Sequence, residues 1–243
     1  MKPLLISLHL PKTAGTSFSA VLTRHFGDRL YRDYEERPLN QPSLARKLHA
    51  AKQSLANRKT PQLPENTDCV HGHFLPLKYR WMPTHRPTQF VVWLREPVAR
   101  LASHYRYWQQ SYAVESAGPL HRRVVEENWS FERFCFSSEL RNTYCQFLWG
   151  FPIQRFQFVG LTECFEQDIQ RFAERFDLQS SADIPRENIG GGDESSADDS
   201  GEAIAEQLAD SGVRDRIERF HAKDVALYAS QLAARRRRGE TVP

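Results

Sequence analysis

A short apolar run, Leu4-Leu5-Ile6-Ser7-Leu8, ends before Pro11 and gives way to the turn Lys12-Thr13-Ala14-Gly15-Thr16-Ser17, after which Phe18, Val21, Leu22 and Phe26 recur at helical spacing. This strand, tight turn and helix constrain the fold more than any other feature. A nearly continuous apolar strand is one buried on both faces, which is the condition inside a parallel sheet covered by helices. The unit recurs. Gln89 to Leu94 (QFVVWL) reads as a central strand that stops at Arg95, Pro97 stands where a first helical residue belongs, and Val98, Leu101, Ala102 and Tyr105 form an apolar stripe. Phe156 to Leu161, followed by Phe165, Ile169, Phe172 and Phe176, is a third example.

Strands alternating with helices imply right-handed crossovers and a mostly parallel sheet, so the expected class is α/β, a three-layer α/β/α arrangement. A further helix is read from Leu44, Leu48, Ala51 and Leu55. Arg186 to Glu202 (RENIGGGDESSADDSGE) reads as a mobile loop. A last helix through Ile217, Phe220, Val225 and Tyr228 ends in Arg235-Arg236-Arg237-Arg238, a solvated helix end leading into a basic tail over 235–243. No interior stretch reads as a linker, so residues 1–243 are expected to form one domain.

With 40% hydrophobic and 26% charged residues, the chain is an ordinary globular protein rather than a disordered or fibrous one. A net charge of +3 is too small to argue for nucleic acid. Cys69, Cys135, Cys145 and Cys164 show neither a C-x-x-C pair nor zinc-finger spacing, which favours reduced, mostly buried thiols over a metal site. No run approaches the ~18 apolar residues of a membrane span, and a cytoplasmic location is expected.

Ligands of open α/β sheets bind beyond the carboxyl ends of the strands, where helix N-termini offer unpaired N–H groups. The turn Lys12-Thr13-Ala14-Gly15-Thr16-Ser17 lies there. Small residues let backbone wrap an anion, three hydroxyls add donors and Lys12 adds a mobile cation, so the turn has the composition of a P-loop-like phosphate cradle. It lacks the Gly-Lys order of nucleotide phosphotransferases, and no strand ending in Asp stands out as a magnesium holder. The second strand–helix unit supplies another candidate: Arg95 and Ser103, eight residues apart, return to nearly one helical face and can grip one phosphate together.

These segments resemble those of sulfotransferases that use 3′-phosphoadenosine 5′-phosphosulfate (PAPS). Pro11 to Ser17 is similar to the family's 5′-phosphosulfate loop, and Arg95-Glu96-Pro97-Val98-Ala99-Arg100-Leu101-Ala102-Ser103 to its 3′-phosphate motif. His71-Gly72-His73 between them resembles the His-x-His segment of the carbohydrate branch typified by heparan sulfate 2-O-sulfotransferase, and the likeness extends roughly over residues 4 to 178.

The resemblance implies transfer of a sulfuryl group from PAPS to an acceptor hydroxyl of a carbohydrate or small molecule, leaving adenosine 3′,5′-bisphosphate (PAP), with no metal. It assigns His73 as general base with His71 as partner, Lys12 to the leaving oxygen, Lys12, Thr13, Ala14, Gly15, Thr16 and Ser17 to the 5′ end, and Arg95 and Ser103 to the 3′-phosphate. Strand alternation would turn both histidines to one face, with Gly72 opening space between them. Trp81, Tyr105, Tyr107, Trp108 and Tyr112 are candidates to line an acceptor pocket, although aromatics at helical spacing are more often core. A kinase-like phosphotransferase and a non-catalytic nucleotide-binding protein are the competing readings.

Overall fold

A computed structural model describes residues 2–59, 63–178 and 199–243. In chain order the elements are β1 (Leu4–Leu8), α1 (Gly15–Phe26), β2 (Leu30–Asp33), α2 (Ser43–Lys59), β3 (Cys69–Gly72), β4 (Thr88–Leu94), α3 (Pro97–Gln110), α4 (Pro119–Glu126), α5 (Phe131–Cys135), α6 (Thr143–Phe147), β5 (Phe158–Leu161), α7 (Phe165–Phe176), α8 (Asp199–Ala209), α9 (Ser211–Phe220) and α10 (Ala222–Arg237). The strands form one sheet in the order β2-β3-β1-β4-β5, every described pair parallel, so the class is the three-layer α/β/α expected. The chain sorts into two compact units: Met1–Leu94, Gln146–Ile189 and Thr241–Pro243 form the first, Arg95–Cys145 and Gly190–Glu240 the second.

Period-two alternation organises the first unit. Leu5 of β1, Cys69 of β3, Val91 and Trp93 of β4 and Phe158 of β5 meet Phe18 and Leu22 of α1 and Phe165, Ile169 and Phe172 of α7 in one core. Ile6, Val70, Phe90 and Val92 alternate with that set, equally buried, which is why the strands read as continuous apolar runs. On the α1 side, Ser7 of β1 pairs in register with His71 of β3, and Arg32 of β2 lies across from His71 in turn. The same alternation that builds the core therefore ends, two residues further along, in polar side chains over the N-terminus of α1.

Gly72 has a different task from the one its sequence position implies. A Cβ there would lie 1.7 Å from the Asp33 carbonyl oxygen, so the missing side chain lets β2 approach β3 rather than opening space between two imidazoles. Asp33, buried at the end of β2, accepts hydrogen bonds from Lys78 Nζ and Tyr79 Oη, each at 2.7 Å, and Lys78 also pairs with Glu36 at 2.9 Å.

The helix α2 forms where its leucines recur, but it turns them away from the sheet. Leu44, Leu48 and Leu55 are exposed, and the buried positions are Arg46, Ala50, Ser54 and Asn57. Specific hydrogen bonds seat this polar face: Arg46 donates to the Pro38 carbonyl at 2.9 Å and to Gln146 Oε1 at 2.6 Å, and Asn57 donates to the Lys78 carbonyl at 3.1 Å.

In the second unit, His104, Trp108 and Phe134 form a buried aromatic cluster with Tyr105, whose hydroxyl donates to the Trp129 carbonyl at 2.7 Å. Trp108 is thus core rather than pocket lining, whereas Trp81 in the first unit and Tyr107 in the second stay exposed. Asp224, at the start of α10, accepts from the amides of Tyr144 and Cys145 at 2.9 and 3.1 Å. Burial raises its pKa and those two amides oppose the rise.

Two boundaries differ from expectation. Residues 199–202 of the proposed mobile loop begin α8, and 186–198 lie outside the described residues. Of the four terminal arginines, Arg235 is buried, with its Nε 3.9 Å from Glu240, so only the following three make a solvated helix end. The four cysteines are free thiols, all buried except the half-buried Cys145.

Candidate active site

The turn after β1 has unusual backbone. Lys12 and Ala14 adopt positive φ, 64° and 59°, a region that residues with a Cβ enter at a cost of order 1–3 kcal/mol each. Ala14 occupies the N-cap position of α1 with no side-chain cap, and the first helical hydrogen bond runs from Phe18 N–H to the Ala14 carbonyl at 3.0 Å. The amides of Gly15, Thr16 and Ser17 precede that bond and lie outside the i−4 ladder. This is not the Thr- or Ser-capped helix start that the composition alone would allow. It leaves the positive end of a 12-residue helix directed at the turn, as an anion site requires. The Thr13 hydroxyl is committed inward, donating to the Leu10 carbonyl at 3.0 Å.

Beside the turn, three imidazoles meet. His9, one residue past β1, stacks on His71 with ring centroids 5.1 Å apart and lies tilted against His73 at 4.4 Å. His71 Nδ1 is hydrogen-bonded to Ser7 Oγ at 2.8 Å, His9 Nδ1 to Tyr34 Oη at 2.9 Å, and His73 Nδ1 to the His9 carbonyl at 2.6 Å. Alternation accounts for the gathering: Ser7 and His9, His71 and His73, and Arg32 and Tyr34 are pairs two residues apart on three adjacent strands, all turned to the α1 side. Both histidines of the His-x-His segment share one face, as expected. The sequence reading missed His9 and Tyr34. The parity of Ser7 and His9 along β1 was the available signal for His9, but Tyr34 required knowing that β2 exists and lies beside β3.

The three rings differ in what they can do. His71 is buried, and burial together with the neighbouring His73 and Arg32 pushes its pKa down to about 3, against a smaller upward pull from Ser7. It stays neutral across any working pH, and its Nε2 is buried without a hydrogen-bond partner. His9 is held well below the ordinary imidazole range by burial, then by His73, His71 and Lys12. His73 is lowered by burial, with the hydrogen bond to the His9 carbonyl opposing, and it remains partly exposed. Because a carbonyl only accepts, His73 Nδ1 must carry the proton, which leaves the Nε2 lone pair of the neutral ring available as a base. Among the described residues no group of His, Cys, Asp and Glu side chains is placed to hold a metal ion.

Arg95 and Ser103 lie in the second unit. Glu96 caps α3, its carboxylate accepting from the amides of Val98 and Ala99 at 3.1 and 2.7 Å, and Pro97 is the first helical residue as expected. The half-buried Arg95 is held through its backbone: its N–H donates to Tyr144 Oη at 3.0 Å, and that hydroxyl donates to the Arg95 carbonyl at 2.6 Å. Ser103 is buried within α3. Arg100, also buried, donates to Thr143 Oγ1 at 3.2 Å and lies over the Tyr144 ring at 5.6 Å.

No helix of the described residues is long and apolar enough to cross a membrane. No curated protein matches the chain. The sulfotransferase family matches it over residues 2–229, a span that takes in the turn at Lys12, the imidazole group and α3. The match extends over most of the chain and favours sulfuryl over phosphoryl transfer, so this chain belongs to the sulfotransferase family.

Proposed function

We propose that the protein transfers the sulfuryl group of PAPS to a hydroxyl of a carbohydrate or small-molecule acceptor, with His73 as general base and PAP as product. The observation that carries this reading is the hydrogen bond from His73 Nδ1 to the His9 carbonyl, which fixes the tautomer of a partly exposed ring that burial favours as neutral and leaves its Nε2 lone pair free to take a proton, beside the turn that holds Lys12. His71, neutral and buried, orders the group instead of exchanging protons.

In the proposed step, His73 Nε2 takes the acceptor O–H proton as the acceptor oxygen bonds to sulfur. The bond from sulfur to the bridging phosphate oxygen breaks, and the charge left on that oxygen is met by Lys12 and the amides at the start of α1. A compact ammonium on a flexible stem suits a charge that appears during the reaction. Thr13, Ala14, Gly15, Thr16 and Ser17 supply the cradle for the 5′ end. Arg95 and Ser103 are assigned to the 3′-phosphate by the likeness of their motif. The chemistry needs no metal, since the sulfuryl group in flight is nearly neutral.

The first test is thermal melting with PAP, which at about 100 times its Kd stabilises the protein by about 2.7 kcal/mol. AMP and ATP should shift the melt much less. The shift should be lost in Lys12→Ala and Arg95→Ala and kept in His73→Ala. A PAP response no larger than that of AMP overturns the donor assignment.

A further inference from the structure

The helix α2 carries its leucines on the side away from the protein. Leu44, Leu48 and Leu55 are 69%, 62% and 58% exposed, and with Ala51 they succeed one another at spacings of four, three and four residues, a single stripe along one helical face. At about 100° per residue, Lys52 and Lys59 border this stripe on one side, and Lys47 and Arg58 on the other. The remaining cation of the helix, Arg46, is buried on the opposite face, and α2 contains no acidic residue. Among the described residues Lys52, Arg58 and Lys59 make no ion pair. One indole flanks the helix: the ring centre of Trp149 lies 5.7 Å from Lys47 Nζ.

We infer that α2 docks the protein on an anionic phospholipid surface, lying in the headgroup plane with Leu44, Leu48 and Leu55 among the acyl chains and the flanking cations on the headgroup phosphates. Three properties single out this occupant. Pairing of α2 with the α2 of a second copy would bring cation against cation with no acid on the helix to neutralise them. A coiled-coil partner needs an apolar seam sustained over three or more heptads, and this one ends within two. A leucine stripe bordered by lysine and arginine on both sides, on an otherwise polar helix, is the pattern of helices that lie at a bilayer surface, where long basic stems reach the headgroups and tryptophan sits at the same depth. The leucines alone are too few to bind strongly; the charge makes the surface selective for anionic lipid.

The test uses the full chain and sedimentation with vesicles of phosphatidylcholine and phosphatidylglycerol in equal parts, against vesicles of phosphatidylcholine alone. The protein should pellet with the anionic vesicles, about tenfold or more in preference to the neutral ones. The double variant Leu48→Gln/Leu55→Gln should lose about tenfold or more of that binding with an unchanged melting temperature, because both side chains are exposed in the folded protein. Lys52→Gln/Lys59→Gln, which removes one cationic border and keeps helix-compatible side chains, should lose a similar factor of about tenfold. Neither pair belongs to the residues assigned to donor binding or proton transfer, so PAP-induced stabilisation should persist in both variants. Equal partition into neutral vesicles, no binding to either, or full binding by the leucine variant overturns the inference. Binding to a soluble sulfated polysaccharide that survives the leucine substitutions, without vesicle binding, also overturns it and reassigns the face to a polyanion.

Discussion

The imidazole of His9 fills the volume that a side chain at position 15 would need: a Cβ on Gly15 would lie 1.5 Å from His9 Nε2. The glycine of the turn therefore admits a ring. That ring also packs against His73 with ring centroids 4.4 Å apart, while the His9 backbone carbonyl accepts from His73 Nδ1, so moving His9 disturbs His73. Gly15→Ala should displace His9, lower kcat by tenfold or more and weaken PAP binding, while the sheet stays folded. Gly72→Ala is different in kind, because its clash is with the Asp33 backbone, and it should lower the melting temperature or abolish folding. Melting curves and kinetics on the two variants separate the effects.

If His73 is the base, His73→Ala should lower kcat by about 10²–10⁴ and leave the PAP-induced melting shift intact. Tyr34→Phe removes only the hydroxyl that steadies His9 Nδ1, so its loss in kcat should be smaller, about tenfold. His73→Ala with near-native turnover would remove His73 from the base role.

The acid limb of the rate profile should fall below about pH 6.5, the ordinary imidazole value, because burial lowers the pKa of His73 and activity requires its neutral form. The same burial makes stability depend on pH. The folded-state pKa values of His9, His71, His73 and His221 are all depressed, His71 to about 3 and His221 to about 4. Between those values and about 6.5 the unfolded chain binds more protons than the folded one, so stability falls as pH drops, by up to about 1.4 kcal/mol per pH unit for each group. Melting should be nearly independent of these groups above pH 7 and should fall steeply below pH 6. A melting temperature that is flat down to pH 5 contradicts this.

Tyr144→Phe removes the hydroxyl that holds both the N–H and the carbonyl of Arg95. Its expected signature is a several-fold rise in Kd for PAP with little change in kcat at saturating donor. The aromatic ring keeps its place beneath Arg100, so the stability loss should stay within the ~1–3 kcal/mol of two net hydrogen bonds. A PAP affinity equal to wild type would show that the Arg95 backbone needs no such support.

The amino-acid sequence by itself determined the local events: where Leu4–Leu8 and Gln89–Leu94 become strands, where Pro97 starts a helix, and which turn sits at the N-terminus of α1. Each is set by neighbours a few residues apart, through apolar period, ring closure at proline and small side chains. Only the tertiary structure decided which strands lie side by side. The order β2-β3-β1 brings Tyr34, His71 and His73 to His9 across gaps of up to 64 residues, and no periodicity along the chain encodes that pairing. It also decided which face of α2 is buried. The leucine period read correctly as a helix, but hydrogen bonds from Arg46 and Asn57 to partners distant in sequence turned the polar face inward, an outcome fixed by contacts made only when the chain is folded.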